Sequence, residues 1–116
     1  MELRKITLAV LPLMLAACAA KNTTQYHWGE YQAALYSYYK HDGSADKQIE
    51  MLNKVLEESK AKNKIPAPGL HAQLGMLYAE SGRRDRAFEQ FSAEKLAYPE
   101  SAHYMDFLMR NHKGGV

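Results

Sequence analysis

The sequence is poor in cysteine and in long apolar runs, and it has little excess of either charge. Cys18 is the one cysteine among 116 residues, so an intramolecular disulfide cannot form. The apolar run from Ile6 to Leu15 is interrupted by Thr7 and Pro12, and it is shorter than the roughly 20 residues that a membrane-spanning helix needs. With 15 basic and 13 acidic residues, no acidic tail and no basic block, the chain has no electrostatic footprint for nucleic-acid binding.

What the chain does have at its start is the order of a secretory signal. Arg4 and Lys5 are followed by the short apolar run and then by the small residues Ala16 and Ala17. A basic start, an apolar core and small residues before a cleavage site are typical of a segment that is removed during export. We therefore expect residues 1–17 to be a signal peptide.

The residue after the expected cut is the cysteine. Leu15-Ala16-Ala17-Cys18 fits the lipobox of bacterial lipoproteins at all four positions. Small side chains let the backbone enter the peptidase, and the thiol accepts diacylglycerol through a thioether. We predict cleavage between Ala17 and Cys18, with diacylglycerol and an N-acyl chain on Cys18, and no other cofactor. Two or three acyl chains hold a protein on a membrane essentially permanently, since each buried methylene contributes about 0.8 kcal/mol.

The remaining chain divides into a short tether and one domain. Residues 18–25 form a small, polar, lipid-carrying tether, and residues 26–113 form the domain. Apolar residues at near-helical spacing predict about five helices, at 28–40, 46–62, 68–81, 85–98 and from Ser101 onward. Ser44 is the expected cap of the second helix, and Pro68 suits the first position of the third. No segment alternates with a period of two, so we predict an all-α fold of antiparallel helical hairpins without a sheet.

The third and fourth helices match the spacing of a tetratricopeptide repeat. The 34 residues from Pro68 to Ser101 contain the signature residues in register. The segment departs from the pattern at two positions: His71 occupies the position that is usually Trp, and Glu94 occupies a position that is usually a small apolar residue. The signature residues are His71, Leu74, Gly75, Tyr78, Ala87, Phe91 and Pro99. Small residues allow close helix approach, and we expect Glu94 to loosen the outer edge of the unit. A single repeat needs flanking helices to cover its faces.

Aromatic residues are concentrated just after the tether. Six of them fall within 14 residues: Tyr26, Trp28, Tyr31, Tyr36, Tyr38 and Tyr39. One helix cannot bury all of them on one face, so we expect Trp28, Tyr31 and Tyr38 in the core. Tyr36 and Tyr39 are candidate interface residues, since Tyr and Trp are enriched at interfaces. The alternative is partial burial with the hydroxyl groups in water.

The chain also resembles a known family. The resemblance rests on Tyr26-His27-Trp28-Gly29-Glu30-Tyr31, Pro68-Gly69-Leu70-His71-Ala72 and Tyr98-Pro99-Glu100-Ser101-Ala102. These segments are similar to small proteobacterial lipoproteins that share domain of unknown function 4810. The resemblance implies an accessory role in the cell envelope, at the outer membrane, because the family's genes often lie beside one for a lipoprotein resembling the curli secretion channel. The resemblance implies no catalytic residue in this chain.

The sequence contains no pattern typical of an enzyme site. None of the five histidines forms an i,i+4 pair, and no nucleophile pattern or phosphate-binding loop is present, so we predict no catalytic and no metal-binding residue. We expect a non-enzymatic protein-interaction module on the periplasmic face of the outer membrane, with Ala19 after the cysteine favouring outer-membrane sorting. The expected partners are the membrane and another envelope protein, and neither nucleic acid nor a small-molecule substrate. The alternative is a periplasmic regulator of a peptidoglycan enzyme.

Overall fold

A computed structural model describes residues 2, 3, 5 and 25–113 of the chain. Residues 25–113 form five α-helices, one 3-10 turn and two strands of two residues each. The helices are α1 (Tyr31–Tyr39), α2 (Ala45–Ala61), α3 (Leu70–Glu80), α4 (Arg84–Ala97) and α5 (Ala102–Lys113), with the 3-10 turn Pro99–Ser101 before α5. The strands are β1 (Tyr26–His27) and β2 (Ile65–Pro66). The predicted all-α fold with five helices is confirmed.

Turn and cap residues set where the helices begin. The Ser44 hydroxyl accepts a hydrogen bond from the Lys47 backbone N–H at 3.3 Å, so Ser44 caps α2 as predicted. The prediction that Pro68 is the first residue of the third helix is wrong. Gly69, with φ of +87°, precedes Leu70, the first residue of α3, and a left-handed backbone angle cannot belong to a right-handed helix.

The α3–α4 hairpin forms the centre of the fold through a very close helix approach. Gly75 lies against the Phe91 ring, and a Cβ atom added at Gly75 would come within 2.5 Å of that ring. Leu74, Ala87 and Phe91 are completely buried. Close packing of this kind explains why the position on α3 must be small, since protein interiors leave no room for an extra methyl group.

The core extends from this hairpin to the flanking helices. Its members come from all five helices and from the segment before α3, and they are Tyr31, Ala34, Ile49, Leu52, Val55, Ala67, Leu70, Leu74, Leu77, Tyr78, Ala87, Phe91, Met105 and Leu108. Burying one Leu or Phe side chain contributes about 1.5–3 kcal/mol, so α1, α2 and α5 are held mainly by apolar contact.

A short parallel pairing joins the start of the domain to the α2–α3 connection. Tyr26 pairs with Ile65 and His27 with Pro66, and the Ile65 N–H donates to the Gln25 carbonyl at 3.2 Å. The sequence analysis expected no sheet. Two-residue strands have too few positions to show a period-two pattern, so this pairing has no sequence signal.

Some side chains lie elsewhere than the sequence analysis placed them. Leu96, whose place in the apolar pattern of the fourth helix predicts an inward or nearly inward position, is 85% exposed. Trp28, expected in the core, is 38% exposed and stacks on Tyr31 with ring centroids 6.1 Å apart. Glu94, expected at a loose outer edge, is buried, and its Oε1 accepts a hydrogen bond from the Gly69 N–H at 2.7 Å. Glu94 therefore binds the start of α3 instead of loosening the unit.

Candidate functional site

Helix α1 places two tyrosines on its outer face. Tyr31 and Ala34 point into the core, whereas Tyr36 is 64% exposed and Tyr39 is 74% exposed. The helical spacing accounts for this, because Tyr36 and Tyr39 are three residues apart and form one face while Tyr31 and Ala34 form another. Both candidate interface residues from the sequence are thus accessible to a partner.

Tyr38 connects this outer face to α3. Its hydroxyl donates to the Glu80 carboxylate at 2.7 Å, and its ring meets the Tyr39 ring edge-on at 5.7 Å. The hydrogen bond to Glu80 is the main cause that raises the pKa of Tyr38 to about 12, followed by partial burial. The phenol therefore stays protonated at neutral pH and serves as a fixed donor that orients α1 against the end of α3.

Helix α5 exposes two more aromatic residues, one of which lies near Tyr38. Tyr104 and Phe107 are 57% and 45% exposed, and their rings stack with centroids 6.3 Å apart. Tyr104 is close enough to Tyr38 to contribute to its raised pKa. Met105 and Leu108 occupy the core side of α5, and Tyr104 and Phe107 lie on its more exposed side.

We call this group the aromatic surface and define it as Tyr36, Tyr38, Tyr39, Tyr104 and Phe107. The apolar arc of α5 is wider than the core can cover, as Tyr104, Met105, Phe107, Leu108 and Met109 span more than one helix face. That excess width was the available sequence signal for Tyr104 and Phe107. Exposed apolar residues that occur together mark interaction sites more often than the scattered ones found on every protein surface.

Charged groups border the aromatic surface on the α1 side. The Lys40 ammonium lies 5.4 Å from the centre of the Tyr36 ring, within the range of a cation–π contact. Glu80 is already bonded to Tyr38. A partner that covers Tyr36 would therefore also meet a lysine, which favours acidic or carbonyl groups at that edge.

The predicted repeat signature lies in the α3–α4 hairpin. Leu74, Gly75, Tyr78, Ala87 and Phe91 are all buried. His71 is half-buried, with its Nδ1 2.8 Å from the Gln90 Oε1, and Pro99 is exposed at the start of the 3-10 turn. These positions describe a closely packed helical hairpin, and its relation to the tetratricopeptide repeat stays a prediction.

The predicted cleavage site and lipid anchor are Ala17 and Cys18. Both residues lie outside the part of the chain that the structure describes. Among the described residues, no helix is long and apolar enough to cross a membrane. The same part of the chain has no group of three or more His, Cys, Asp or Glu side chains placed to hold a metal ion.

Comparison with known proteins identifies a family. Residues 25–108 match a family described as domain of unknown function (DUF4810). The match begins at Gln25, where the chain enters the fold, and ends within α5, so it covers the core and all five residues of the aromatic surface. No curated protein and no solved structure shows significant similarity to the chain.

Proposed function

The chain belongs to the DUF4810 family, and from this premise we propose that it is an outer-membrane lipoprotein whose helical domain is a non-enzymatic protein-interaction module of the cell envelope. Lipid on Cys18 anchors the protein on the periplasmic face, and the domain presents a binding surface to another envelope protein. The observation that carries the proposal is the aromatic surface, with Tyr36 and Tyr39 as its most exposed members on α1.

The anchor is supported by the sequence around Cys18. A basic start, an interrupted apolar run and Leu15-Ala16-Ala17-Cys18 occur in the order that export, cleavage and lipidation require. The single cysteine is consistent with this role, since acylation removes a thiol that would otherwise be reactive in an oxidising compartment. The tether of residues 18–25 then separates the lipid from the folded domain.

The binding role is supported by the composition and rigidity of the aromatic surface. Tyr and Trp provide large contact areas with few rotatable bonds. They are enriched among interface residues whose truncation to alanine weakens binding by about 2 kcal/mol or more. Here the rings are partly fixed before binding, through the Tyr38–Glu80 hydrogen bond and the Tyr104–Phe107 stack. Fixed rings lose less conformational freedom when a partner binds.

Two further parts of the proposal concern the fold and the partner. The α3–α4 hairpin is a tetratricopeptide-like repeat, supported by the register of its signature residues over 34 positions. A lipoprotein resembling the curli secretion channel is the first candidate partner, because the resemblance noted in the sequence implies such a gene neighbour. A regulator of a peptidoglycan enzyme is the alternative, and the identity of the captured partner separates the two.

Site-specific photo-crosslinking in intact cells tests the binding role. A benzoylphenylalanine replaces Tyr39 in one strain and Phe107 in a second, while Leu96 serves as the matched control because it is 85% exposed but lies outside the aromatic surface. We expect the same envelope protein to be captured from Tyr39 and Phe107 and not from Leu96. Capture of that protein from all three positions, or from none, would contradict the proposal.

Substitution supplies the complementary measurement. Replacing Tyr36 and Tyr39 together with alanine should reduce co-purification of the crosslinked partner at least tenfold, corresponding to roughly 1.4 kcal/mol or more. Exposed positions tolerate such changes within about 0.5 kcal/mol of folding stability, so the protein level should not change. Leu96→Ala should leave co-purification unchanged. Normal partner recovery with both tyrosines replaced would exclude them from the interface.

A further inference from the structure

The tether enters the folded domain at one fixed place. The Gln25 carbonyl accepts from the Ile65 N–H, Tyr26 pairs with Ile65, and the His27 Nε2 lies 2.8 Å from the Glu58 carboxylate. These contacts bind the first residues of the domain to the end of α2 and to β2. The point at which the tether joins the domain is therefore set by the structure.

The number of residues between the lipid and this entry point limits their separation. Gln25 is the seventh residue after Cys18. A fully extended chain covers at most about 3.6 Å per residue, so the lipid-bearing residue lies within roughly 25 Å of Gln25. Ile65 is hydrogen-bonded to Gln25, so lipid on Cys18 would keep the turn that precedes Ile65 within a comparable distance of the membrane surface.

That turn contains three lysines in a stretch without acidic residues. Lys60, Lys62 and Lys64 alternate along it, and no acidic residue occurs from Ser59 to Ala79. Lys60 and Lys62 are exposed, and Ile65 beside them is 47% exposed. Among the described residues, no ion pair includes any of these three lysines.

Several basic residues elsewhere in the domain form ion pairs with acidic neighbours. At the other end of α2, Arg83 pairs with Asp46, and on α4 Arg86 pairs with Glu89 at 3.3 Å. Lys95 pairs with Asp106 at 2.6 Å. The turn after α2 is thus a lysine-rich surface, without a close ion pair among the described residues, at the point where the tether enters.

An open apolar cavity lies directly beside the lysines. Its volume is about 300 Å³, and it is lined by Leu56 and Pro66 with Lys60, Lys64 and His71 around them. Lysine side chains can lay their methylene stems along such a surface while the ammonium groups reach outward. The cavity thus gives the basic turn an apolar backing that suits the boundary between headgroups and acyl chains.

We propose that Lys60, Lys62, Lys64 and Ile65, together named the basic turn, dock on anionic phospholipid headgroups and orient the anchored domain. This inference rests on the proposed lipidation of Cys18, which brings the turn to the bilayer. The occupant is an anionic lipid surface, because the turn offers positive charge and one exposed apolar side chain. Each lysine near such a surface strengthens attachment about fivefold, and the effect decays within a Debye length.

Coupling the protein to a synthetic lipid in vesicles tests this docking independently of lipidation in the cell. The mature chain beginning at Cys18 is coupled through its only cysteine to a maleimide lipid in vesicles of phosphatidylcholine, or of phosphatidylcholine with equimolar phosphatidylglycerol. Lysines are then acylated with a water-soluble reagent and quantified by peptide mass spectrometry. Lys40 and Lys47 are internal controls, since Lys47 lies about 20 Å along α2 from Lys60.

The expected result is selective protection of the basic turn. On phosphatidylglycerol vesicles, Lys60, Lys62 and Lys64 should react at least roughly fivefold more slowly than on phosphatidylcholine, and high salt should remove the difference. Lys40 and Lys47 should react equally on both. Equal labelling of the basic turn on the two lipids would overturn the docking, and it would leave the lipidation proposal intact because the anchor was supplied.

Matched variants add a second readout at Lys64. Replacing Lys60 and Lys62 with glutamine should remove the protection of Lys64 on phosphatidylglycerol and return its labelling to the rate on phosphatidylcholine. Replacing Lys40 and Lys47 with glutamine should leave Lys64 protected. Both variants change exposed positions, and circular dichroism verifies that they fold. Equal protection of Lys64 in the two variants would contradict an electrostatic contact through this turn.

Discussion

Replacing Gly75 with alanine should destabilise the α3–α4 hairpin, although alanine is the better helix former. The added Cβ would lie 2.5 Å from the Phe91 ring, and Phe91 is completely buried and stacked against His112 with centroids 6.2 Å apart. The ring has no free space to move into. Overpacking at such a site costs about 3 kcal/mol at the upper end of its range, and the better helix propensity of alanine returns about 1 kcal/mol.

The net effect should be a loss of about 2 kcal/mol in the free energy of unfolding, measured by urea denaturation of the mature chain. For a domain of this size the midpoint of thermal unfolding should fall by roughly 10 °C. A double-mutant cycle with Phe91→Leu isolates the contact, because the smaller side chain makes room for the methyl group. The cost of Gly75→Ala should therefore be much smaller in the Phe91→Leu background.

Gly82 provides the matched control for this prediction. Its φ is +78°, and a Cβ there would meet no atom within 4 Å. Gly82→Ala should cost about 1 kcal/mol through backbone strain alone, and this cost should not depend on residue 91. If Gly75→Ala is as stable as the natural protein, or if its cost is unchanged by Phe91→Leu, the close packing of α3 on α4 is refuted.

Three further substitutions test other contacts of the domain. Glu94→Ala should cost about 2–3 kcal/mol in urea denaturation because it leaves the buried Gly69 N–H without an acceptor, and a cost below about 0.5 kcal/mol would contradict that role. The hydrogen bond from His27 lowers the pKa of Glu58, so it stabilises the fold above the ordinary glutamate pKa and is lost as pH falls through the lowered value. His27→Ala should therefore flatten the fall in stability on acidification, and an unchanged pH profile would exclude the contact. Ser44→Ala should lower the unfolding free energy by about 1 kcal/mol, whereas an unchanged value would show that Ser44 does not cap α2.

Local signals in the sequence were sufficient for the helices and for some of their ends. Each helix has an apolar stripe, and Ser44 and Gly82 mark a beginning and an end by mechanisms that act within a few residues. The repeat spacing also predicted a close approach of two helices at small residues, and Gly75 makes such an approach against Phe91. Predictions that depended on short-range geometry were therefore largely correct.

The errors arose where long-range packing decides. Leu96 is apolar like a core residue, but it is 85% exposed, since none of the helices within residues 25–113 packs on its side of α4. Glu94 is buried because the N–H of Gly69, 25 residues earlier, offers a partner. The β1–β2 pairing likewise joins residues 39 positions apart and leaves no periodic trace in either segment.

For the candidate sites too, local spacing was sufficient for some residues and not for others. Tyr36 and Tyr39 could be recognised as outward-facing from helical spacing alone. For Tyr104 and Phe107 the wide apolar arc of α5 indicated only that some apolar side chains stay exposed, and the packing selects which ones. The basic turn was not recognised either, since three alternating lysines are common on protein surfaces. Its interest comes from the hydrogen bond between Ile65 and Gln25, which places the tether beside it.

The central claim, a domain displayed on a membrane through Cys18, is tested most directly by the mass of its N-terminal peptide. The protein is extracted from membranes and digested with trypsin, which should release Cys18-Ala-Ala-Lys21. We predict that this peptide has a new N-terminus at Cys18 and contains diacylglycerol with an N-acyl chain. An unmodified Cys18, or a chain still joined to Ala17, would contradict the account.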